Sequence, residues 1–225
     1  MTSTASISAP LSAEAAFDSV GPAYEVAFEG LETQLASIKW IVEQLGQHKP
    51  AKVLDIGCGA GRPVCSELAA AGHDVLGIDI SSNMLGAARK NVPQARFEQK
   101  DIRDFEAAPG SFDAITVYFS LIASVTQDEI RDFIKRIHGW LRAGGIFVLG
   151  TASVDGNNIE MRWMGRPVVC SGLSAEDTVS WMREVGFEVV HEDQSTFTPR
   201  AVEAGICEAE DVWEEPHLFV YARRQ

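Results

Sequence analysis

The feature that most constrains the fold is the run VLDIGCGAG at residues 53–61. Its first half is a short apolar segment that predicts a buried β-strand. Three glycines follow at every second position. Glycine lacks a Cβ and tolerates positive φ, so such a turn exposes its backbone to a ligand at the carboxyl end of the strand. The run therefore predicts a ligand-binding turn after the first strand of a sheet.

Downstream of residue 51, short apolar runs alternate with amphipathic segments. This alternation predicts strands joined by helices, and strands that are apolar throughout predict a parallel sheet covered on both faces. Right-handed crossovers then give an α/β fold with an open, doubly wound, Rossmann-like sheet. The predicted strands are 52–56, 74–79, 96–99, 112–118 and 146–150, and the predicted helices are 62–71, 82–91 and about 127–141.

The two ends of the chain follow different patterns. Before the sheet, an apolar stripe predicts a helix at 30–46, and residues 17–29 form a short amphipathic segment that either packs on the domain or covers a ligand as a lid. After the sheet, a helix at 174–185 precedes strands at 187–192 and 217–223, which predict an antiparallel terminal hairpin. We expect a flexible tail (1–13), an N-terminal helical lid (14–50) and one ligand-binding domain (51–225).

The charge of the chain excludes some classes of partner. With 32 acidic and 19 basic residues, its 225 residues carry a formal net charge of −13. Nucleic acids and anionic membrane surfaces are recognised mainly through clusters of Lys and Arg, so neither is expected as a partner. No apolar run is long enough to span a bilayer, and the first residues lack the basic start and apolar middle of a signal peptide.

The four cysteines give no sign of disulfide or metal chemistry. Cys58, Cys65, Cys170 and Cys207 form no CxxC pair and no Cys/His cluster with zinc spacing. This usage is typical of reduced thiols, so the sequence predicts a cytoplasmic protein without a metal site.

The glycine spacing and three carboxylates indicate the ligand of the turn. Residues 57–61 read G-x-G-x-G, and not the G-x-G-x-x-G of a dinucleotide site. Asp79 ends the second predicted strand, where a carboxylate accepts hydrogen bonds from ribose hydroxyls, and Asp101 follows the third, where it can accept from an adenine amino group. Asp55 adds negative charge beside any ammonium group. The pattern suits a ligand with adenosine at one end and an amino acid at the other.

Five motifs follow one another in register along the middle of the chain. They are VLDIGCGAG (53–61), GIDIS (77–81), QKDI (99–102), SFDAITVYFSL (111–121) and LRAGGIFVLGT (141–151). In this order and spacing they resemble the class I S-adenosylmethionine (SAM)-dependent methyltransferases of small-molecule type. The resemblance implies SAM as cofactor, a SAM-binding domain at 51–225, and a seven-stranded sheet whose last strand is antiparallel.

The resemblance also implies roles for individual residues. The glycines of 57–61 would contact the methionine part of SAM, Asp79 would bind the ribose hydroxyls, and Tyr118 would lie near the transferred methyl group. Tyr24 would be the aromatic residue of the lid, and for Met84 a helix-core role fits equally well. The implied cofactor site is Tyr24, Asp55, Gly57, Gly59, Gly61, Asp79, Ile80, Met84, Asp101, Ile102, Tyr118, Ser120 and Leu121.

The methyl acceptor is expected to bind at the variable segments. Trp163, Met161 and Met164 follow the fifth predicted strand and can wall an apolar acceptor pocket, although packing under a long loop at 160–172 explains them equally well. The residues after strand four, 118–121, depart from the Asn/Asp-Pro-Pro-Tyr/Phe signature of enzymes that methylate planar nitrogens in nucleic acid or glutamine. We expect methyl transfer to O, N or S of a small, largely apolar metabolite by a monomer or homodimer.

Two other functions fit parts of the sequence. A SAM-binding sensor or partner subunit without transfer activity would carry the same motifs, and no residue is assigned as a general base beyond Tyr118 as the best candidate near the methyl group. A dinucleotide-dependent oxidoreductase would share the fold, but the glycine spacing and Asp101 disfavour it. Calorimetry with SAM and NAD separates the oxidoreductase from the other two.

Overall fold

The structure is a computed structural model that describes residues 9–46 and 50–225. Its strands are β1 (Lys52–Ile56), β2 (Asp74–Asp79), β3 (Arg96–Gln99), β4 (Phe112–Tyr118), β5 (Leu141–Ala152), β6 (Gly156–Trp163), β7 (Arg166–Gly172), β8 (Phe187–Phe197) and β9 (Glu215–Arg224). Its helices are α1 (Ala13–Val20), α2 (Ala23–Ala27), α3 (Glu32–Leu45), α4 (Val64–Ala70), α5 (Ser82–Asn91), α6 (Gln127–Trp140) and α7 (Ala175–Val185).

Seven strands form one sheet in the order β3-β2-β1-β4-β5-β9-β8. The pairs from β3 to β5 are parallel, whereas β9 runs antiparallel to both β5 and β8. The predicted doubly wound α/β sheet with an antiparallel terminal hairpin is therefore confirmed. The strand order reverses between β1 and β4, and ligands of such sheets bind at the carboxyl ends of the strands that flank this switch point.

Helices cover both faces of the sheet because neighbouring residues of each strand point to opposite sides. In β1, Leu54 is buried in the cluster that α6 and α7 cover, and Val53 in the cluster that α3 and α4 cover. Helix α6 shows how the sequence dictates this packing. The side chain of Thr126 accepts a hydrogen bond from the backbone N–H of Glu129, whose carboxylate accepts from the N–H of Thr126, so a capping box starts the helix.

The segment after β5 differs from the prediction. The predicted loop at 160–172 is wrong, because β6 and β7 form a two-stranded antiparallel hairpin there. Its turn is Met164-Gly165, and both residues have positive φ (46° and 79°). Positive φ at both central positions is typical of two-residue hairpin turns, which usually carry Asn-Gly or Asp-Gly. A methionine in the first position gave no such signal in the sequence.

The N-terminal segment packs across the carboxyl edge of the sheet. The Leu11 backbone N–H donates to the carbonyl of Pro167 at 2.7 Å, and the Ala13 N–H donates to the Ser124 hydroxyl at 2.9 Å. Residues 9–13 of the expected flexible tail are thus in contact with the domain, whereas residues 1–8 lie outside the described residues. Among the described helices, none is long and apolar enough to cross a membrane.

Candidate active site

The glycine turn after β1 is held by the end of β2. The backbone N–H groups of Gly57 and Cys58 both donate to the carbonyl of Ile78, at 2.8 and 3.0 Å. The N–H of Gly59 donates to Oδ2 of Asp79 at 2.8 Å, and the other oxygen of that carboxylate accepts from the N–H of Ser81 at 2.8 Å. Asp79 therefore fixes the turn as well as facing the space beside it.

The three glycines of the turn serve different purposes. A Cβ on Gly57 would lie 2.1 Å from Cβ of Ser120, so only glycine fits against the end of β4. A Cβ on Gly61 would meet Val92 at 3.1 Å, which shows that this residue packs against the end of α5. A Cβ on Gly59 would meet no atom within 4 Å, although its φ is +53°. Of the three, Gly59 presents open backbone to a ligand.

A groove runs along both sides of this turn, at the switch point of the sheet. The glycine-turn groove, as we call it, contains twelve of the thirteen residues predicted to bind the cofactor. These are Tyr24, Asp55, Gly57, Gly59, Asp79, Ile80, Met84, Asp101, Ile102, Tyr118, Ser120 and Leu121. Gly61 is the exception, because it faces α5 and not the groove.

The glycine-turn groove is lined by the buried carboxyl of Asp55 and by the half-buried carboxyls of Asp79 and Glu25. Burial raises the pKa of Asp55 to about 6, although hydrogen bonds from Thr116 (2.7 Å) and Cys65 (3.2 Å) oppose the shift. Burial also raises the pKa values of Asp79 and Glu25. A cationic ligand would favour the ionised form of each carboxyl, so the groove suits a positively charged molecule.

Asp101 is already engaged by a neighbouring cation. Its carboxylate accepts from the backbone N–H of Arg103 at 2.8 Å and pairs with the Arg103 guanidinium at 3.0 Å. The same guanidinium pairs with Glu129 at 2.8 Å. Asp101 thus lies at the mouth of the groove, oriented by this network, and half of its hydrogen-bonding capacity is used within the protein.

Tyr118 lines the groove with its ring, but its hydroxyl is occupied elsewhere. The hydroxyl lies 2.6 Å from the hydroxyl of Ser37 on α3, inside the protein. Burial raises the pKa of Tyr118 well above its ordinary value, so the phenol stays protonated. The structure thus gives the hydroxyl a partner in the core, and the ring is the part that a ligand would touch.

A second cavity, of about 140 Å³, adjoins the groove and is almost entirely apolar. This apolar pocket is built from parts of the chain far apart in sequence: α1 and α2, the segment after β4, the β6–β7 hairpin and the start of β9. Its walls include Phe17, Tyr24, Phe28, Phe119, Ile122, Val154, Ile159, Met161, Trp163, Val168, Cys170, Trp213 and Glu215. Its size and lining suit a small, mainly apolar molecule.

The groove and the pocket meet at four aromatic side chains, which are Phe17, Tyr24, Phe28 and Phe119. Of these, Tyr24 and Phe119 line the groove on both sides of the glycine turn as well as the pocket. Phe119 has a φ of +54°, a backbone conformation that residues other than glycine rarely adopt. Such residues are found preferentially at functional sites. Phe119 is not among the predicted site residues, although it lies between Tyr118 and Ser120, which are. Its exposure follows from the sharp turn at the end of β4, which no local residue type announces.

The predicted acceptor residues separate into two groups. Met161 and Trp163 line the apolar pocket. Met164 does not, because its side chain is 2% exposed and packs in the core beneath the hairpin turn. Glu215 also lines the pocket, and nothing in the sequence indicates this, because Glu215 is one of several acidic residues between the predicted strands 187–192 and 217–223. In the part of the chain that is described, no cluster of His, Cys, Asp and Glu could hold a metal ion.

Comparison with known proteins agrees with this geometry. Residues 53–145 match the family model described as a methyltransferase domain. The chain is 36% identical over 108 residues to an uncharacterised methyltransferase of Synechocystis, covering 48% of this chain and 50% of that protein. It is 29% identical over 141 residues to a malonyl-[acyl-carrier protein] O-methyltransferase of Enterobacter lignolyticus, covering 63% and 53%. The chain thus spans about half the length of these curated relatives.

A solved structure extends the likeness to the whole fold. The chain is similar to an S-adenosylmethionine-dependent methyltransferase from Mesorhizobium loti, with a TM-score of 0.59 and 23% sequence identity. The match covers 83% of this chain and 96% of that one. It includes elements on both sides of residues 53–145, so the same architecture surrounds the matched domain.

Proposed function

We propose that the chain is a class I SAM-dependent methyltransferase that transfers a methyl group from SAM to O, N or S of a small, mainly apolar acceptor, a proposal supported by the match of residues 53–145 to a methyltransferase domain. The observation that carries the proposal is the junction of the two cavities at Tyr24 and Phe119. A polar groove that suits an aminoacyl-adenosine cation opens there onto a pocket that suits an apolar molecule. This is the arrangement that a two-substrate transfer needs.

The residues of the glycine-turn groove fit SAM. The open backbone at Gly59 leaves room for the methionine part, where a Cβ would project. Asp79 lies beside it with lone pairs left for ribose hydroxyls. Asp55 and Glu25 line the same groove, and their carboxylates would balance the positive charge of the ammonium and sulfonium groups. The walls of the groove, which would surround the nucleoside, are completed by Ile80, Met84, Asp101, Ile102, Ser120 and Leu121.

When bound, SAM supplies a methyl group that its sulfonium already activates. The chain therefore has to bind the acceptor, orient it and exclude water. Phe17, Tyr24 and Phe119 close the junction with apolar surface. Their contacts hold this arrangement, since Tyr24 stacks on Phe28 at 4.5 Å and Phe17 lies 5.5 Å from the ring of Trp163. The acceptor's proton passes to water, so an acceptor that reacts as a free amine, a thiolate or a phenolate needs no proton-transfer residue on the chain.

Methyl transfer from labelled SAM tests the proposal. The purified protein is incubated with methyl-labelled SAM and a panel of small apolar alcohols, amines and thiols, and labelled products are extracted. We expect transfer to a subset of the panel, lost in Asp79→Ala. Tight SAM binding without transfer to any acceptor would favour the alternative of a SAM sensor or partner subunit. Size-exclusion chromatography of the purified protein at several concentrations tells a monomer from a homodimer.

The proposed location is the cytoplasm. Cys58, Cys65, Cys170 and Cys207 are all free thiols in the structure. The pKa values of all four are raised. At Cys65 the hydrogen bond with Cys58 raises the pKa most and burial adds to it, whereas burial is the main cause at Cys207 and at Cys170, whose pKa is about 11. At Cys58 a hydrogen bond from Cys65 opposes the rise, and burial outweighs it together with the charges of Asp55 and Asp79. Protonated, unpaired thiols fit a reducing compartment.

A further inference from the structure

The apolar pocket contains one carboxylate that the methyl-transfer scheme does not use. Glu215 begins β9 and is the only acidic residue among the described residues that line the pocket. Its side chain is 13% exposed. No Lys or Arg is found among those lining residues. A carboxylate in such surroundings requires hydrogen-bond donors.

Two side chains hold Glu215 in place. The indole N–H of Trp163 donates to Oε1 at 3.1 Å, and Nε2 of His217 lies 3.2 Å from Oε2. His217 is itself 1% exposed, and its ring lies 4.5 Å from the ring of Phe119. Since a carboxylate oxygen can only accept, Nε2 of His217 carries the proton in this contact, and each carboxylate oxygen retains a second lone pair. The carboxylate is therefore rigid, partly satisfied and directed at the pocket.

The negative charge of Glu215 reaches both ends of the pocket. Burial raises the pKa of Tyr24, and the charge of Glu215 raises it further. The same two causes, in the same order, raise the pKa of Cys170 to about 11. Tyr24 lies at the junction with the glycine-turn groove, and Cys170 lies on the β6–β7 hairpin. A ligand in the pocket would thus lie beside the Glu215 carboxylate, whose neighbour at 3.2 Å is the imidazole of His217.

We infer that Glu215 is the specificity-determining residue of the apolar pocket. It selects an apolar ligand that carries an N–H or O–H donor, and the donor binds the free lone pairs of the carboxylate. An anionic ligand, or one with no donor, is excluded because it would leave the buried carboxylate unsatisfied or repelled. The inference rests on the proposed function, because it narrows the proposed methyl acceptors to amines and hydroxyl compounds. Thioethers, which have no donor, and acids, which are anionic, are then not acceptors.

Calorimetry with three matched probes tests the inference without SAM. The probes are 4-butylphenol, 4-butylaniline and 4-butylanisole, which share a butylphenyl body and differ in the donor. We expect the phenol and the aniline to bind the wild-type protein about tenfold tighter than the anisole, because hydrogen bonds to charged groups are the stronger ones. The Glu215→Gln variant replaces the carboxylate with an amide of the same shape. Its preference for the phenol and the aniline over the anisole should fall to about threefold or less.

The matched control is Glu214→Gln, which removes the same charge from an exposed neighbour and should keep the full preference. Equal binding of all three probes to the wild type, no binding of either donor probe, or an unchanged preference in Glu215→Gln overturns the inference. The wild-type comparison decides the matter even where Glu215→Gln does not fold. S-adenosylhomocysteine (SAH) is titrated in the same samples. Retained SAH binding with no donor preference contradicts only this inference, whereas absent SAH binding contradicts the proposed function.

Discussion

The glycine-turn groove and the apolar pocket share Tyr24 and Phe119 but are constructed in opposite ways. The groove is formed by the ends of β1, β2 and β4 together with residues 24–35, and its polar atoms belong to the backbone of the glycine turn and to carboxylates. The pocket is formed by side chains from five separate segments, nearly all of them apolar. The groove can therefore keep one ligand while the pocket changes its occupant through side-chain replacements alone.

The difference explains what the sequence could and could not predict. Gly57, Gly59 and Asp79 belong to short local patterns, and sheet topology alone brings them to one edge. Trp163 and Glu215 are 52 positions apart in the chain and become neighbours only through the β6–β7 hairpin and the start of β9. No local pattern encodes a contact between such distant segments. The hairpin was missed because its turn has Met164 where Asn or Asp usually announces it.

Individual residues show the same limit within the groove. Gly61 has the spacing of a ligand-binding glycine, yet it packs against Val92. Tyr118 has the position of a residue beside the methyl group, yet its hydroxyl pairs with Ser37. Both partners lie on helices, α3 for Ser37 and the end of α5 for Val92, and the side-chain directions follow from how these helices dock. The spacing of residues predicts which ones reach the edge of the sheet, but not where each side chain points.

The largest expected effect separates the two regions. Asp79→Ala removes the proposed ribose acceptors and the acceptor of the Gly59 N–H, so the SAH affinity measured by calorimetry should fall by about a hundredfold or more. Binding of 4-butylphenol in the apolar pocket should stay within about threefold. The control Asp74→Ala removes a surface partner of Arg96 at the other end of β2 and should change neither affinity. An equal loss of affinity for SAH and for 4-butylphenol in Asp79→Ala would contradict the claim that the groove and the pocket bind separate ligands.

The pH dependence of stability should reflect the buried carboxyl of Asp55. Its pKa is about 6 in the folded protein against an ordinary 3.8, so the folded state binds more protons and stability falls as the pH rises through this range. Between pH 5 and 8 the contribution of Asp55 to the free energy of unfolding should fall by about 1.4 kcal/mol. Urea denaturation of the wild type and of Asp55→Asn at both pH values measures it.

The Asn variant isolates this contribution because its amide does not titrate. Asp79 and Glu25 remain in both proteins, so their raised pKa values change the free energy of unfolding with pH alike in both. We expect the wild type to lose about 1.4 kcal/mol more than Asp55→Asn between pH 5 and 8. Parallel curves for the two proteins would show that Asp55 is not neutralised by burial.

Trp163→Leu should affect the apolar pocket alone. The indole supplies aromatic surface to the pocket and a donor to Glu215, and it does not line the glycine-turn groove. The affinity for 4-butylphenol should fall by about tenfold. SAH affinity, measured on the same sample, should stay within about threefold. A large loss of SAH affinity would mean that the two cavities do not bind independently.

Tyr118→Phe should have the smallest effect. The variant removes the hydroxyl that pairs with Ser37, whose hydroxyl also donates to the carbonyl of Gln34 at 2.7 Å. We expect a loss of about 1 kcal/mol in the free energy of unfolding. Methyl transfer to an acceptor from the panel should stay within about threefold, because the ring remains in the groove. A loss of transfer at unchanged SAH affinity would restore the hydroxyl as a group that acts at the methyl.

The central claim is that SAM binds against the open backbone at Gly59. Calorimetry with SAH on the Gly59→Ala variant tests this claim most directly. The added methyl meets no protein atom, so the variant should fold with a modest loss of stability from its positive φ. It would project into the groove, and the SAH affinity should fall by about tenfold to a hundredfold. Gly86→Ala, on α5 with equally open space, is the control and should bind SAH like the wild type. Unchanged SAH affinity in folded Gly59→Ala, or a wild type that binds NAD and not SAH, would contradict the claim.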